Sequence, residues 1–120
     1  LIEGSSISTE TISAVYDLVP KGASVLLILD SNHTHYHVLA ELNAYADLIQ
    51  KHDHIVVFDT SIEFDDAEKW SGERAWGPGN SPLSALNEFI GSNHSFERRP
   101  TFTEKLGVSV CPYGVIERTK

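Results

Sequence analysis

Methionine is absent from the 120 residues and cysteine occurs once, at Cys111. A lone thiol excludes an internal disulfide and any zinc site built on cysteines, and it fits a reducing compartment. Basic residues are scarce too: 9 Lys and Arg stand against 17 Asp and Glu, giving a formal net charge of −8. Such a chain repels a phosphate backbone, and no local Lys/Arg cluster offsets this, so nucleic acid and anionic membrane surfaces are excluded as partners. A small molecule is the expected ligand. No apolar run approaches the ~20 residues of a membrane span and no signal-peptide pattern is present, so the expected location is cytoplasmic. A Gly-x-Ser-x-Gly elbow, a Gly-rich phosphate loop before a Lys and a Cys/His nucleophile pair are all missing, which narrows the chemistry further.

What is present centres on residues 24 to 37. The run Val25 to Leu29 has no polar interruption and predicts a strand buried on both faces, as in a helix-covered parallel sheet. Asp30 falls where that strand emerges, at the edge where open α/β sheets bind ligands. Upstream, Leu1 to Glu3 reads as the end of a strand entering the Gly4-Ser5-Ser6 turn. A helix over Thr9 to Leu18 follows, with Ser8 or Thr9 as N-cap and Pro20-Lys21-Gly22 as stop. The opening at a strand-like Leu1, without Met, predicts a segment of a longer protein.

Beyond Asp30, the spacing of Val38, Leu39, Leu42, Tyr45, Ala46 and Ile49 predicts a helix over 36–50, with Glu41 on its polar side. His54 to Phe58 predicts a second buried strand, ending at Asp59-Thr60. Residues 61–80 hold Trp70, Trp76, the Trp76-Gly-Pro-Gly turn and acids such as Glu63, and read as an irregular loop of the kind that serves as a lid, a binding loop or a disordered segment; the turn is more often simply packed, and the alternative is that the two indoles line a pocket. Ser81-Pro82 opens a helix that Gly91 stops. Phe96 to Phe102 and Leu106 to Cys111 are β-prone and predict an antiparallel pair, before a turn at 112–114 and Val115-Ile116.

Two strands ending in acids place Asp30 and Asp59 over one crevice, where oxygen ligands suit Mg²⁺; the plainer reading is that they cap the following helices or hydrogen-bond loop backbone. His33 is a candidate proton acceptor beside them. His33, His35 and His37 invite a zinc reading, but on a helix only His33 and His37 share a face, which leaves His35 to solvent.

Ile2-Glu3-Gly4-Ser5-Ser6, Val25 to His33, His37 to Leu42, Ala44 to Ala46, Ile55 to Thr60, Trp76 to Gly79 and Cys111 to Gly114 together resemble the cephalosporin hydroxylase family and the related rhamnosyl O-methyltransferases. The resemblance implies an α/β fold: a Rossmann-like methyltransferase sheet, mostly parallel with an antiparallel C-terminal strand, lacking its first two strands, all 120 residues forming one partial domain. It implies S-adenosylmethionine as cofactor, with Gly4, Ser5, Ser6 and Asp30 on its side of the site, Asp30 and Asp59 as ligands for Mg²⁺, and His33 with Asp30 in catalysis. Two departures weaken the metal set: Phe58 stands where the family commonly has Glu, and Asn32 where Asp is usual. The implied function is methyl transfer to a hydroxyl of a sugar or secondary metabolite, with the isolated chain inactive and its open sheet edge favouring a homo-oligomer. The alternatives are an oxygenase using His33, His37 and Asp30 on a redox metal, or a non-catalytic binding or assembly module.

Overall fold

The computed structural model describes residues 1–66 and 74–120. Ser8 caps α1 (Thr9–Leu18) through its side chain, which accepts from the Thr11 amide. β1 (Leu26–Leu29) leads into α2 (His35–Tyr45), prolonged by a 3₁₀ turn at Ala46–Leu48. β2 (His54–Val57) is followed by a 3₁₀ segment, Thr60–Phe64. α3 (Pro82–Ser92) has the capping box expected of Ser81-Pro82, with Ser81 and Ser84 bonded reciprocally. β3 (Phe96–Arg98), α4 (Pro100–Leu106) and β4 (Val115–Arg118) complete the chain.

The four strands form one mixed sheet in the order β1-β2-β4-β3. β1 and β2 are parallel, with Leu27 opposite Ile55 and Leu29 opposite Val57, while β4 runs antiparallel to both of its neighbours. Only the β1–β2 pairing is parallel, so the described sheet is mixed rather than mostly parallel, and the α/β architecture is compatible with a partial Rossmann-like fold.

One face of the sheet carries the core. Leu29, Ile55, Val57 and Ile116 meet Val38, Leu42 and Ile49 from α2 and its extension, and Leu86 and Phe89 from α3. The other face is not sealed. Leu26 is 62% and Ile28 55% exposed, so β1 is buried on one face rather than two. An uninterrupted apolar run specifies only that the strand can be covered on both sides.

Two further expectations are corrected. Leu1 to Glu3 forms no strand, so no β-α-β unit closes around α1 among the described residues. The antiparallel pair expected of 96–102 and 106–111 forms only at its start, where Phe96–Arg98 is β3 and pairs with β4 instead: Pro100 starts α4 at its first turn, Gly107 ends it at φ 70°, and residues 107–114 run without regular structure into β4. A proline free of an amide duty and a glycine at positive φ override the β-propensity of their neighbours.

At the amino ends of β1 and β2, Asp53 accepts from the Ser24 hydroxyl at 2.6 Å, the Val25 amide at 2.8 Å and the Gln50 amide at 3.0 Å, which holds its carboxyl below the usual range despite burial. On the open face, Arg99 at 2.6 Å and His52 at 2.9 Å hold the Glu117 carboxyl down at about 2. Both folded-state values lie below the unfolded ones, so the stability these groups supply is complete above the ordinary carboxylate range and lost as pH falls through the depressed values. Urea midpoints are therefore expected to hold from pH 7 to about 5 and to drop steeply towards pH 2. An Asp53→Asn, Glu117→Gln double variant should show a lower midpoint at pH 7 and a shallower acid limb; an unchanged limb would remove both carboxylates from the account.

Candidate active site

Asp30 follows the last residue of β1 directly, and Asp59 lies two residues past the end of β2. The parallel ladder continues one step beyond the strands, the Phe58 amide donating to the Leu29 carbonyl at 3.0 Å, so both carboxylates leave the same edge of the sheet side by side. Asp59 has φ 52° and ψ 26°, a left-handed conformation uncommon outside glycine, and its side chain makes no cap to the 3₁₀ segment it precedes. The helix-cap reading of Asp59 therefore fails.

His33 stands between the two acids. Its Nε2 is 2.9 Å from Asp59 Oδ2 and 3.8 Å from Asp30 Oδ1. One ligand atom from each of Asp30, His33 and Asp59 lies within 4.8 Å of the other two. The Asp30 side chain is 56% exposed, against 23% for His33 and 32% for Asp59, so the cluster opens to solvent on the Asp30 side. The Trp76 ring meets the His33 imidazole edge to face, centroids 5.2 Å apart at 87°.

The Gly4-Ser5-Ser6 turn is tied to this edge from the other side. Ser6 donates to Glu41 Oε1 at 2.5 Å, and Ser31, the neighbour of Asp30, donates to the same oxygen at 2.7 Å. His37 Nε2 lies 2.9 Å from the Ser6 hydroxyl. The Tyr45 hydroxyl donates to the Ser6 carbonyl at 2.5 Å; burial, then the nearby Glu41, pushes that phenol up, so it remains a donor. Gly4 has φ 141°, and a Cβ there would meet the Thr11 hydroxyl at 2.8 Å, so the turn admits no side chain at this position. Ser5 supplies a carbonyl to the Ser8 amide. Ser6, at the end of the turn, is thus linked to Ser31 beside Asp30 through a glutamate that the helical pattern put on a polar face. Glu41 is in fact 2% exposed, because Ser6 and Ser31 cover it.

The three histidines point three ways. His37 is engaged with Ser6 and is not part of the Asp30, His33, Asp59 cluster, so the two-histidine set of the oxygenase alternative is not assembled among the described residues. His35 is no solvated bystander: its ring bonds Ser84 at 2.8 Å and Glu88 at 3.1 Å on α3, and its amide donates to Asn80 Oδ1 at 2.9 Å. Asn32 accepts from the amide and hydroxyl of Thr34, which commits its oxygen to the start of α2. Glu63, one of the acids of the 61–80 stretch, accepts from the Gly79 amide at 3.1 Å and from the Ser81 hydroxyl, fastening the turn that carries Trp76. Trp70 lies outside the described residues.

Two carboxylates and an imidazole converging on a half-open edge suit a divalent cation, with free positions for an oxygen ligand. Among the described residues no helix is long and apolar enough to cross a membrane. Neither the curated proteins nor the solved structures contain a match to the chain. A family model described as rhamnosyl O-methyltransferase/CmcI covers residues 1–119, and with it the acid-ended strands, the Gly4–Ser6 turn and the Trp76 turn. The chain therefore belongs to the rhamnosyl O-methyltransferase/CmcI family, whose members are S-adenosylmethionine-dependent methyltransferase-like enzymes.

Proposed function

We propose that these residues form the metal- and acceptor-binding side of an O-methyltransferase that moves a methyl group from S-adenosylmethionine to a hydroxyl of a small molecule, a sugar or secondary metabolite. The observation that carries this reading is the delivery of Asp30 and Asp59 to one edge by neighbouring parallel strands, beside the Gly4–Ser6 turn. When bound there, a divalent cation lowers the pKa of a coordinated hydroxyl and makes it a better nucleophile.

The chain's own residues do the positioning. Asp30 and Asp59 supply the anionic oxygens, and the exposure of Asp30 leaves a side open for the acceptor. Trp76, fixed against His33, forms an apolar wall beside that opening and suits the face of a sugar ring. Glu41 holds the Gly4–Ser6 turn in register with Asp30, so cofactor and acceptor sides keep one geometry, as methyl transfer demands of two reactants held in line.

The test is transfer of label from methyl-tritiated S-adenosylmethionine to hydroxylated acceptors, sugars first, by the protein carrying these residues. Label on oxygen is expected, abolished by chelator and restored by a divalent ion. Transfer that ignores the chelator, or iron-dependent oxygen uptake in its place, would overturn the reading.

A further inference from the structure

We infer that His33 is a third metal ligand, in place of a free proton acceptor, and that its nitrogen makes the site prefer a first-row transition dication such as Mn²⁺ or Co²⁺ over Mg²⁺. The inference rests on the metal-assisted reading of Asp30 and Asp59 and specifies the ion that this site takes.

The first argument is the state of the imidazole nitrogen. His33 Nε2 is buried from solvent and has no hydrogen-bond partner among the described residues, even though Asp59 Oδ2 is only 2.9 Å away. A buried polar atom left in that condition is destabilising. A cation shared with the two carboxylates relieves it, using the lone pair of neutral imidazole. The spacings fit: adjacent ligands on an octahedral ion with bonds of about 2.1 Å lie roughly 3 Å apart, and the His33 to Asp59 and Asp30 separations are 2.9 and 3.8 Å.

The second argument is preorganisation. The edge-to-face Trp76 ring restricts rotation of the imidazole, and Trp76 is itself held through its turn. Asn80 donates to the Ala75 carbonyl at 2.6 Å while accepting from the His35 amide, and Glu63 grips the Gly79 amide. Ligands held this way by a surrounding shell bind metal more tightly than the same groups on a loose loop.

The preference follows from donor chemistry. Mg²⁺ takes oxygen ligands in strict octahedral geometry and keeps its waters, whereas imidazole suits the later transition ions and affinity climbs from Mn²⁺ to Co²⁺. Among the described residues, the two positions at which the sequence departs from an all-oxygen set do not restore it: the Phe58 side chain, between β2 and Asp59, has no ligand atom, and the Asn32 oxygen is taken by Thr34.

Two measurements test this. Calorimetric titration of the purified protein is expected to give Mn²⁺ and Co²⁺ affinities at least about tenfold above that for Mg²⁺, a margin that His33→Gln removes while the circular dichroism spectrum is kept. Pulsed electron paramagnetic resonance of the Mn²⁺ complex is expected to show coupling to one imidazole ¹⁴N, absent in the variant; the wild-type spectrum decides the point even if the variant misfolds. Mn²⁺ bound without ¹⁴N coupling, or Mg²⁺ bound as tightly as Mn²⁺, overturns the inference and leaves metal-assisted transfer standing. Failure of every dication to bind overturns both.

Discussion

Asp59→Asn is expected to lower divalent-ion affinity beyond the roughly 10–100-fold that loss of a supporting residue around a metal costs, with almost no change in thermal stability. The dissociation of the two effects comes from the backbone. Asp59 sits at φ 52° and ψ 26°, and asparagine is among the few side chains that tolerate this region as readily. The side chain makes no cap hydrogen bond whose loss would loosen the 3₁₀ segment behind it. The substitution thus removes one of two anionic charges from the cluster and leaves the fold alone. Calorimetry with Mn²⁺ and a thermal melt on the same sample check both halves. Retained affinity would move the metal away from this strand edge, and a large fall in melting temperature would make Asp59 structural.

Gly114→Ala is expected to produce the largest loss of stability of any single methyl addition at a described glycine, about 3 kcal/mol or a melting point lower by roughly 10 °C. A Cβ at this position would lie 2.3 Å from the Val57 carbonyl oxygen and 3.1 Å from that of Cys111. Both obstacles are backbone and cannot swing aside. The Gly114 carbonyl also accepts the Val57 amide at 2.9 Å, so relieving the clash costs a sheet hydrogen bond. The damage should reach the site, because Thr60, next to Asp59, is buried and donates to the Pro112 carbonyl at 2.7 Å. Gly91→Ala is the matched control: nothing lies within 4 Å of its added methyl, and it sits inside α3, where alanine is favoured by roughly 0.5–1 kcal/mol. Equal melting points for the two variants would refute the close-approach account.

The parts legible in the sequence were those encoded locally. Ser8 and Ser81-Pro82 announce their helices because a cap is a short-range hydrogen bond, and the apolar spacing from Val38 to Ile49 needs only the helical repeat. The pairing of Asp30 with Asp59 was legible because parallel strands joined by one helix must present equivalent ends to the same edge. What stayed hidden depends on distant partners. Glu41 looks solvent-facing until Ser6, thirty-five positions earlier, is laid over it. The same holds for His35, whose partners on α3 lie about fifty residues downstream. Exposure of Leu26 and Ile28 likewise reflects what covers a sheet, which no property of the strand itself records. The misread stretch from Pro100 to Cys111 is different, since Pro100 and Gly107 were both local signals and were outweighed by β-prone neighbours.

The strand order sets a timetable for biosynthesis. β4, the last of the four described strands in chain order, occupies the slot between β2 and β3. A ribosome adding about 5–20 residues per second takes roughly one to a few seconds to pass from Arg98 to Arg118, and throughout that interval β3 has no neighbour while β2 presents bare amides and carbonyls on one side. The nascent chain therefore carries an adhesive border until β4 slides home, an interval in which a chaperone has an open edge to protect.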